Sequence, residues 1–299
     1  LCARTRDSLA CGRVFAGPAL RAGQAPVVLE IGKYKIRKEI GHGAMGTVYE
    51  GYDSGIGRRV AIKTLRTEVF VAEQLPEVIA RFRREASAAG RLSHPRIVTI
   101  YELGEERGVH YIVMEFLSGT DLNVLLGRGV RLPLEQIVRI ATELLDALAA
   151  AHDEGVVHRD VKPANLFVLH DGSLKVVDFG IVHVPGSTLT QVAQMLGTPS
   201  YMAPEQWESV EVDQRCDLFS AGVILYLLLT GEKPFDGESI PIIMKKVLGH
   251  EPPPPSAVNL KLSPVWDAVL ERALAKKPEA RYQTAREFRA AVERAYAEE

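Results

Sequence analysis

Residues 157–165 read Val-His-Arg-Asp-Val-Lys-Pro-Ala-Asn, placing an acid at Asp160, a cation two residues on at Lys162 and an amide at Asn165. A carboxylate beside a substrate hydroxyl can accept its proton, and a carboxamide oxygen suits a hard divalent cation. Alone, each of these residues also fits a turn, because Asp and Asn favour loops through local hydrogen bonds. Downstream, Val176-Val177-Asp178-Phe179-Gly180 sets a second acid at the end of an apolar strand. Two acids and an amide in this order, behind a long helical pattern, make unrelated turns a poor explanation. They mark a site for proton transfer beside a divalent cation.

Working outward, LEQIVRIATELLDALAAAHDEG carries Ile137, Ile140, Ala141, Leu144, Leu145 and Leu148 on one broad helical face. Further upstream the texture is β. YKIRKEIGHG from Tyr34 and TVYEGYD flank the cluster Gly41-His42-Gly43-Ala44-Met45-Gly46, and RRVAIKTL adds a β-branched run, so three short strands are expected. A lone GxGxxG is a weak signal. Its position between two strands, with no helix opening at the third glycine, disfavours a dinucleotide-binding fold. Such glycines let backbone N–H groups approach a polyphosphate without a Cβ clash.

Lys63, in Val60-Ala61-Ile62-Lys63, is costly inside an apolar strand unless an anion meets it. The next segment, LPEVIARFRREASAAGRL, puts Ile79, Phe82, Ala86 and Ala89 on one helical face and offers Glu85. A Lys63–Glu85 pair would hold the ammonium towards α/β-phosphates. Two more strands, RIVTIYEL and VHYIVMEFL, end near Leu117. Beyond Gly119 helices dominate, interrupted by NLFVL and SLKVV around Asp171-Gly172, a hairpin signal. An apolar helix over 217–230, a rigid Pro-rich loop at Glu251–Pro255 and two further helices complete the chain. The organisation expected is α+β and two-lobed: a flexible tail over 1–33, a small β-rich lobe with one key helix over 34–117, and a larger helical lobe over 118–299.

Composition narrows the function classes. The 299 residues carry 36 Lys+Arg against 38 Asp+Glu, a formal net charge of −2, so no global basic field draws nucleic acid or anionic lipid. The longest strongly apolar run, Ala221 to Leu229, falls short of the roughly 18 residues a membrane span needs. Cys2, Cys11 and Cys216 have no metal-ligand spacing, and their odd number suits a reducing compartment. The chain opens on Leu1 with no signal-type apolar region, so a fragment or processed chain in the cytoplasm is expected.

With these motifs in hand, residues 34–294 resemble a eukaryotic-like serine/threonine protein kinase domain, most closely in the texture of its bacterial group. The resemblance implies the bilobal protein kinase fold and transfer of the γ-phosphoryl group of Mg-ATP to serine or threonine hydroxyls of proteins, in signal transduction. It implies that Gly41, Gly43 and Gly46 cover the ATP phosphates, and that Lys63 contacts them while paired with Glu85. Asp160 would be the catalytic base, Lys162 would stabilise the transferred group, and Asn165 and Asp178 would hold Mg2+, with Mn2+ as an alternative. Ile40, Val48, Ala61 and Phe167 would enclose the adenine, with Met114 as gatekeeper and the backbone of Glu115 and Leu117 bonding its edge. Phe179, His158, Ala89 and Ile100 match a stacked spine in which Ala89 is a small member.

The scaffold implied by the resemblance includes a Glu205–Arg281 ion pair and an Asp217 that accepts catalytic-loop N–H groups. Lys162 and Thr198 are marks of serine/threonine acceptors as against tyrosine. Arg159 would await an anion, and Thr190, then Thr188, are the activation-loop phosphorylation candidates. Expected partners are protein substrates and a second copy, in a homodimer for trans-autophosphorylation; a membrane anchor would lie outside this segment. Two other classes compete. A pseudokinase scaffold is opposed by Lys63, Glu85, Asp160, Asn165 and Asp178, and a small-molecule kinase by Lys162 and Ala203-Pro204-Glu205.

Overall fold

The computed structural model describes residues 30–43, 46–67, 70, 73–179, 199–208 and 212–299, with the side chains of Arg81 and Glu85 outside that description. Strands β1 (Glu30–Ile31), β2 (Tyr34–His42), β3 (Gly46–Asp53), β4 (Arg58–Leu65), β5 (Ile100–Glu106) and β6 (Val109–Glu115) form one antiparallel sheet in the order β1-β2-β3-β4-β6-β5. The period of two along β4 sorts its side chains between the faces. Val60 and Ile62 are buried with Tyr34, Tyr111 and Val113 on one face. Ala61 and Leu65 lie on the other, packed with helix α1 (Leu75–Ala89). Lys63 shares the parity of Ala61, so it faces the same side. In α1, Val78, Phe82, Ala86 and Ala89 are buried at helical spacing.

The sheet starts earlier than the sequence pattern does. Residues 30–33, placed by sequence in the tail, supply β1 and a turn in which Gly32 adopts φ +57°. Tyr34 is 1% exposed and its hydroxyl donates to Glu102 across the sheet at 2.7 Å. Two residues are too few to show a period, so β1 exists through its partner. Residues 1–29 lie outside the described residues.

Below this sheet, β7 (Gly119–Asp121), β8 (Leu166–Leu169) and β9 (Leu174–Val176) make a second one. The hairpin expected at Asp171-Gly172 is β8–β9, with Gly172 at φ +77°. RIVTIYEL divides between the two sheets. Only Ile100 onward enters β5, while Val176 N–H donates to the Arg96 carbonyl (2.8 Å) and Val98 N–H to the Val176 carbonyl (2.9 Å).

Helices α2 (Leu122–Gly127), α3 (Leu134–Asp153), α4 (Pro204–Trp207), α5 (Arg215–Thr230), α6 (Ile240–Gly249), α7 (Pro255–Val258), α8 (Val265–Ala273) and α9 (Ala285–Glu298) build the larger lobe. The apolar run read over 217–230 is α5, buried on almost every side and stopped at Gly231, whose φ of +82° closes the helix. Helix α6 has no counterpart in the sequence reading. Pro241 sits in its first turn, where proline is tolerated, and Ile240–Met244 shows no polar face to set a helical period. One apolar cluster joins α3, α5, α8 and α9 to the β8–β9 hairpin. Among the described residues no helix is long and apolar enough to cross a membrane. The two-lobed α+β expectation holds.

Candidate active site

Between the lobes lies a cleft of about 590 Å3. The upper sheet supplies Ile40, Gly41, Gly43, Gly46, Val48, Ala61 and Lys63; β6 and the segment after it supply Met114, Glu115 and Leu117. The lower lobe contributes Asp160, Lys162, Asn165, Phe167 and Asp178. Apolar side chains thus line one end and charges gather at the other.

At the charged end the side chains are interlocked. The Lys162 ammonium lies 2.7 Å from an Asp160 oxygen. Asn165, buried behind the loop, donates its amide nitrogen to the Asp160 carbonyl (2.8 Å) and carboxylate (3.1 Å), which turns the carboxamide oxygen into the group left to meet a cation. Asp178 meets Lys63 at 2.7 Å across the cleft. Burial works to raise the Asp178 carboxyl, but the Lys63 charge and hydrogen bond outweigh it and hold the group below the usual carboxylate range. The pair expected between Lys63 and Glu85 falls on a side chain outside the described residues.

Backbone strain concentrates here. Arg159 (φ +63°) and Asp178 (φ +61°) are left-handed, a conformation that costs a non-glycine residue about 1–2 kcal/mol. Buried groups hold the loop in place. Asp217, fully buried at the start of α5, accepts the N–H groups of His158 (2.8 Å) and Arg159 (2.7 Å), and His152 Nε2 lies 2.8 Å from it. Burial alone would raise the Asp217 carboxyl, but the hydrogen bonds from His152 and from the His158 backbone N–H outweigh it and keep it low. His158, also fully buried, is fixed as the Nε2–H tautomer by its partners: Nε2 donates to the Val177 carbonyl (3.0 Å) and Nδ1 accepts from Asp160 N–H (3.3 Å). Its ring packs 4.6 Å from that of Phe179, while Ala89 and Ile100 join the same apolar cluster.

The three glycines of the loop differ in origin. A Cβ on Gly46 would stand 2.3 Å from the Thr64 carbonyl oxygen, so pairing with β4 requires glycine there. On Gly41 and Gly43 a Cβ would meet nothing closer than 3.7 Å. The protein itself therefore does not demand glycine at these two positions, and the missing side chains leave the backbone open to the cleft.

At the apolar end, Glu115 N–H donates to the Thr99 carbonyl (2.9 Å). The Glu115 carboxylate is clasped by Lys175 from β9 at 2.7 Å, and Lys175 also reaches the Ile97 carbonyl (3.3 Å). Sequence reasoning overlooked Lys175 and His152; alternation in SLKVV sets the face of Lys175 but not its partner, and His152 looks like any last-turn histidine. Farther down, Arg281 spends its five donors inside the protein. Nη1 and Nη2 each reach a Glu205 oxygen at 2.7 Å, and the rest go to the carbonyls of Ala275, Lys276 and Arg215. Thr188, Thr190 and Thr198 lie outside the described residues.

Comparison with known proteins places this geometry in a family. The profile described as protein kinase domain matches residues 34–294. A Streptomyces coelicolor chain bearing the name probable serine/threonine-protein kinase is 41% identical over 269 residues, which cover 88% of this chain and 40% of its own length. Serine/threonine-protein kinase PknB of Mycolicibacterium smegmatis is 38% identical, with 86% and 42% covered. Serine/threonine-protein kinase Pkn1 of Myxococcus xanthus is 38% identical, with 94% and 41% covered. The chain spans about two-fifths of the length of these curated relatives. With its two lobes, its acidic cleft floor and a family match over nearly all of its described residues, the chain belongs to the protein kinase family.

Proposed function

We propose that this chain is an active serine/threonine protein kinase that transfers the γ-phosphoryl group of Mg-ATP to protein hydroxyls in signal transduction. The observation that carries the reading is the convergence of Asp160, Asn165 and Asp178, with Lys63 and Lys162, beneath Gly41 and Gly43, whose absent side chains the fold does not require. The adenine occupies the apolar end, among Ile40, Val48, Ala61, Met114 and Phe167, with the Glu115 and Leu117 backbone at its edge. Lys63 meets the α/β-phosphates. Asp160 takes the proton of the acceptor hydroxyl as its oxygen bonds to the γ-phosphorus and the bond to ADP breaks, while Lys162 steadies the charge on the transferred group.

The residues present fit Mg2+, and Mn2+ with it. Asp178 and Asn165 are hard oxygen donors, and the Lys63 ammonium already seated on Asp178 shows where the carboxylate calls for positive charge. Two protein oxygen donors are fewer than such an ion takes, so phosphate oxygens of the nucleotide would complete its coordination beside Asp178 and Asn165. Bound there, it would neutralise charge on the phosphate oxygens. Control of the site falls to the segment after Asp178: phosphate on Thr190 or Thr188 would pair with Arg159, and a second copy of the chain would deliver it. Thr198, like Lys162, belongs to the reading of serine and threonine as acceptors. The cytoplasm is the proposed location.

The test is incubation with Mg-ATP and a generic protein acceptor. Wild type is expected to phosphorylate serine and threonine and to gain phosphate within 187–190, where Thr188→Ala/Thr190→Ala lowers activity. Asp160→Asn should cut turnover about 10²–10⁴-fold, and Lys63→Met should do comparable damage. Turnover surviving both changes would overturn the residue roles, and an inert wild type would favour a scaffold.

A further inference from the structure

Gln206 follows the buried Glu205 in α4, and no motif of the sequence marks it. Its Oε1 accepts from the Ala203 N–H at 3.0 Å, and its Nε2 donates to the Arg159 carbonyl at 2.9 Å. The first bond is half of a capping box, in which a glutamine at the third helical position reaches back to the residue that opens the helix. Ala203 lacks the hydroxyl for the other half. The second bond is one that a helix cap has no use for.

Its target is informative. Arg159 is left-handed, and both of its peptide groups are held from outside the loop: the N–H by Asp217 at 2.7 Å, the carbonyl by Gln206. The Arg159 carbonyl and the Asp160 N–H belong to one rigid peptide plane. The other edge of that plane meets His158 Nδ1 at 3.3 Å. Fixing the carbonyl therefore fixes the direction in which Asp160 leaves the loop. Helix α4 is itself pinned by the Glu205–Arg281 pair, so the aim of Asp160 is linked to the seating of α4.

We propose that Gln206 is a positioning residue that orients Asp160 through the Arg159 carbonyl and couples its aim to α4. This rests on the reading of Asp160 as the base. The experiment separates the two bonds. Gln206→Glu keeps an acceptor for Ala203 but has no donor for Arg159, whereas Gln206→Met loses both. Steady-state kinetics with Mg-ATP and a protein acceptor, Mg-ADP titration and thermal melts are measured for each. Loss of one hydrogen bond of ordinary strength should lower kcat of Gln206→Glu about 10-fold. KM for ATP and Kd for Mg-ADP should hold within about twofold, since Gln206 is not part of the cleft. Its Tm should stay within about 2 °C of wild type, while Gln206→Met loses both kcat and Tm. In an Asp160→Asn background, Gln206→Glu should add nothing, because the two act as one unit. Wild-type kcat in Gln206→Glu overturns the proposal, as does a loss matched by weaker nucleotide binding or additive to Asp160→Asn. An Asp160→Asn variant with undiminished turnover removes the base reading instead, a result that the Gln206 variants alone do not produce.

Discussion

In the sheet lobe, Arg83 and Glu105 pair at 2.5 Å with both side chains about half exposed, and Arg37 and Lys38 reach Glu50 from the solvent side. In the helical lobe, Arg281 and Glu205 pair with almost no exposure, and Asp217 is sealed beneath the loop that carries Asp160. Exposed pairs contribute about 0–1 kcal/mol, whereas breaking a buried one costs about 3–5 kcal/mol. The helical lobe therefore uses charge to hold geometry that the backbone resists, including the left-handed Arg159. The sheet lobe relies on strand pairing and apolar contact, and leaves most of its charges in water. Lys63 departs from this, as do the buried carboxylates of Glu50 and Asp53: it sits on the inner face of β4 and meets Asp178 from the other lobe.

The strongest way to break this contrast is Arg281→Ala. It strands Glu205 in the interior and should cost about 3–5 kcal/mol of unfolding free energy in urea. A loss below about 1 kcal/mol would mean that the buried pair behaves like a surface one.

A sharper test uses Lys276, a cation of the helical lobe whose Nζ is buried with no hydrogen-bond partner among the described residues and lies 4.1 Å from the Phe235 ring centre. Burial pushes its pKa down to about 8, against some support from Glu251. An unfolded lysine titrates near 10.5, so between these values the unfolded chain holds more protons and stability rises with pH. Lys276→Met removes that slope. At pH 7 the variant should exceed wild type by on the order of 1–3 kcal/mol, and the gap should close as pH climbs from 8 towards 10.5. An unchanging gap would show that the amine is not penalised by burial.

The smallest effect belongs to the sheet lobe. Arg83→Ala should shift stability by less than about 1 kcal/mol, and by less still in high salt. A larger, salt-independent loss would place this pair with the buried ones.

How far the sequence could be read follows the reach of each signal. Alternation in RRVAIKTL is local, and it suffices to put Lys63 on the face opposite Val60 and Ile62. The spacing of Phe82, Ala86 and Ala89 is likewise enough for α1, and the order of Asp160, Asn165 and Asp178 was enough to single out the floor of the cleft. Strands β1 and β7 escaped because two or three residues carry no period. Helix α6 escaped because its first turn is apolar on all sides. Lys175, His152 and Gln206 escaped because their meaning lies in partners far along the chain.

By itself, the amino-acid order determined the type and inward face of the longer periodic elements, and which chemical groups stand at strand ends and loops, because periods of two and 3.6 operate between near neighbours. Only the tertiary structure decided that Asp217 receives the backbone of His158, that Lys175 clasps Glu115, and that Gln206 grips the Arg159 carbonyl. Those contacts join residues 59, 60 and 47 positions apart. At such separations the match of donor to acceptor is set by how helices and sheets pack around a shared core, and no short stretch of chain encodes it.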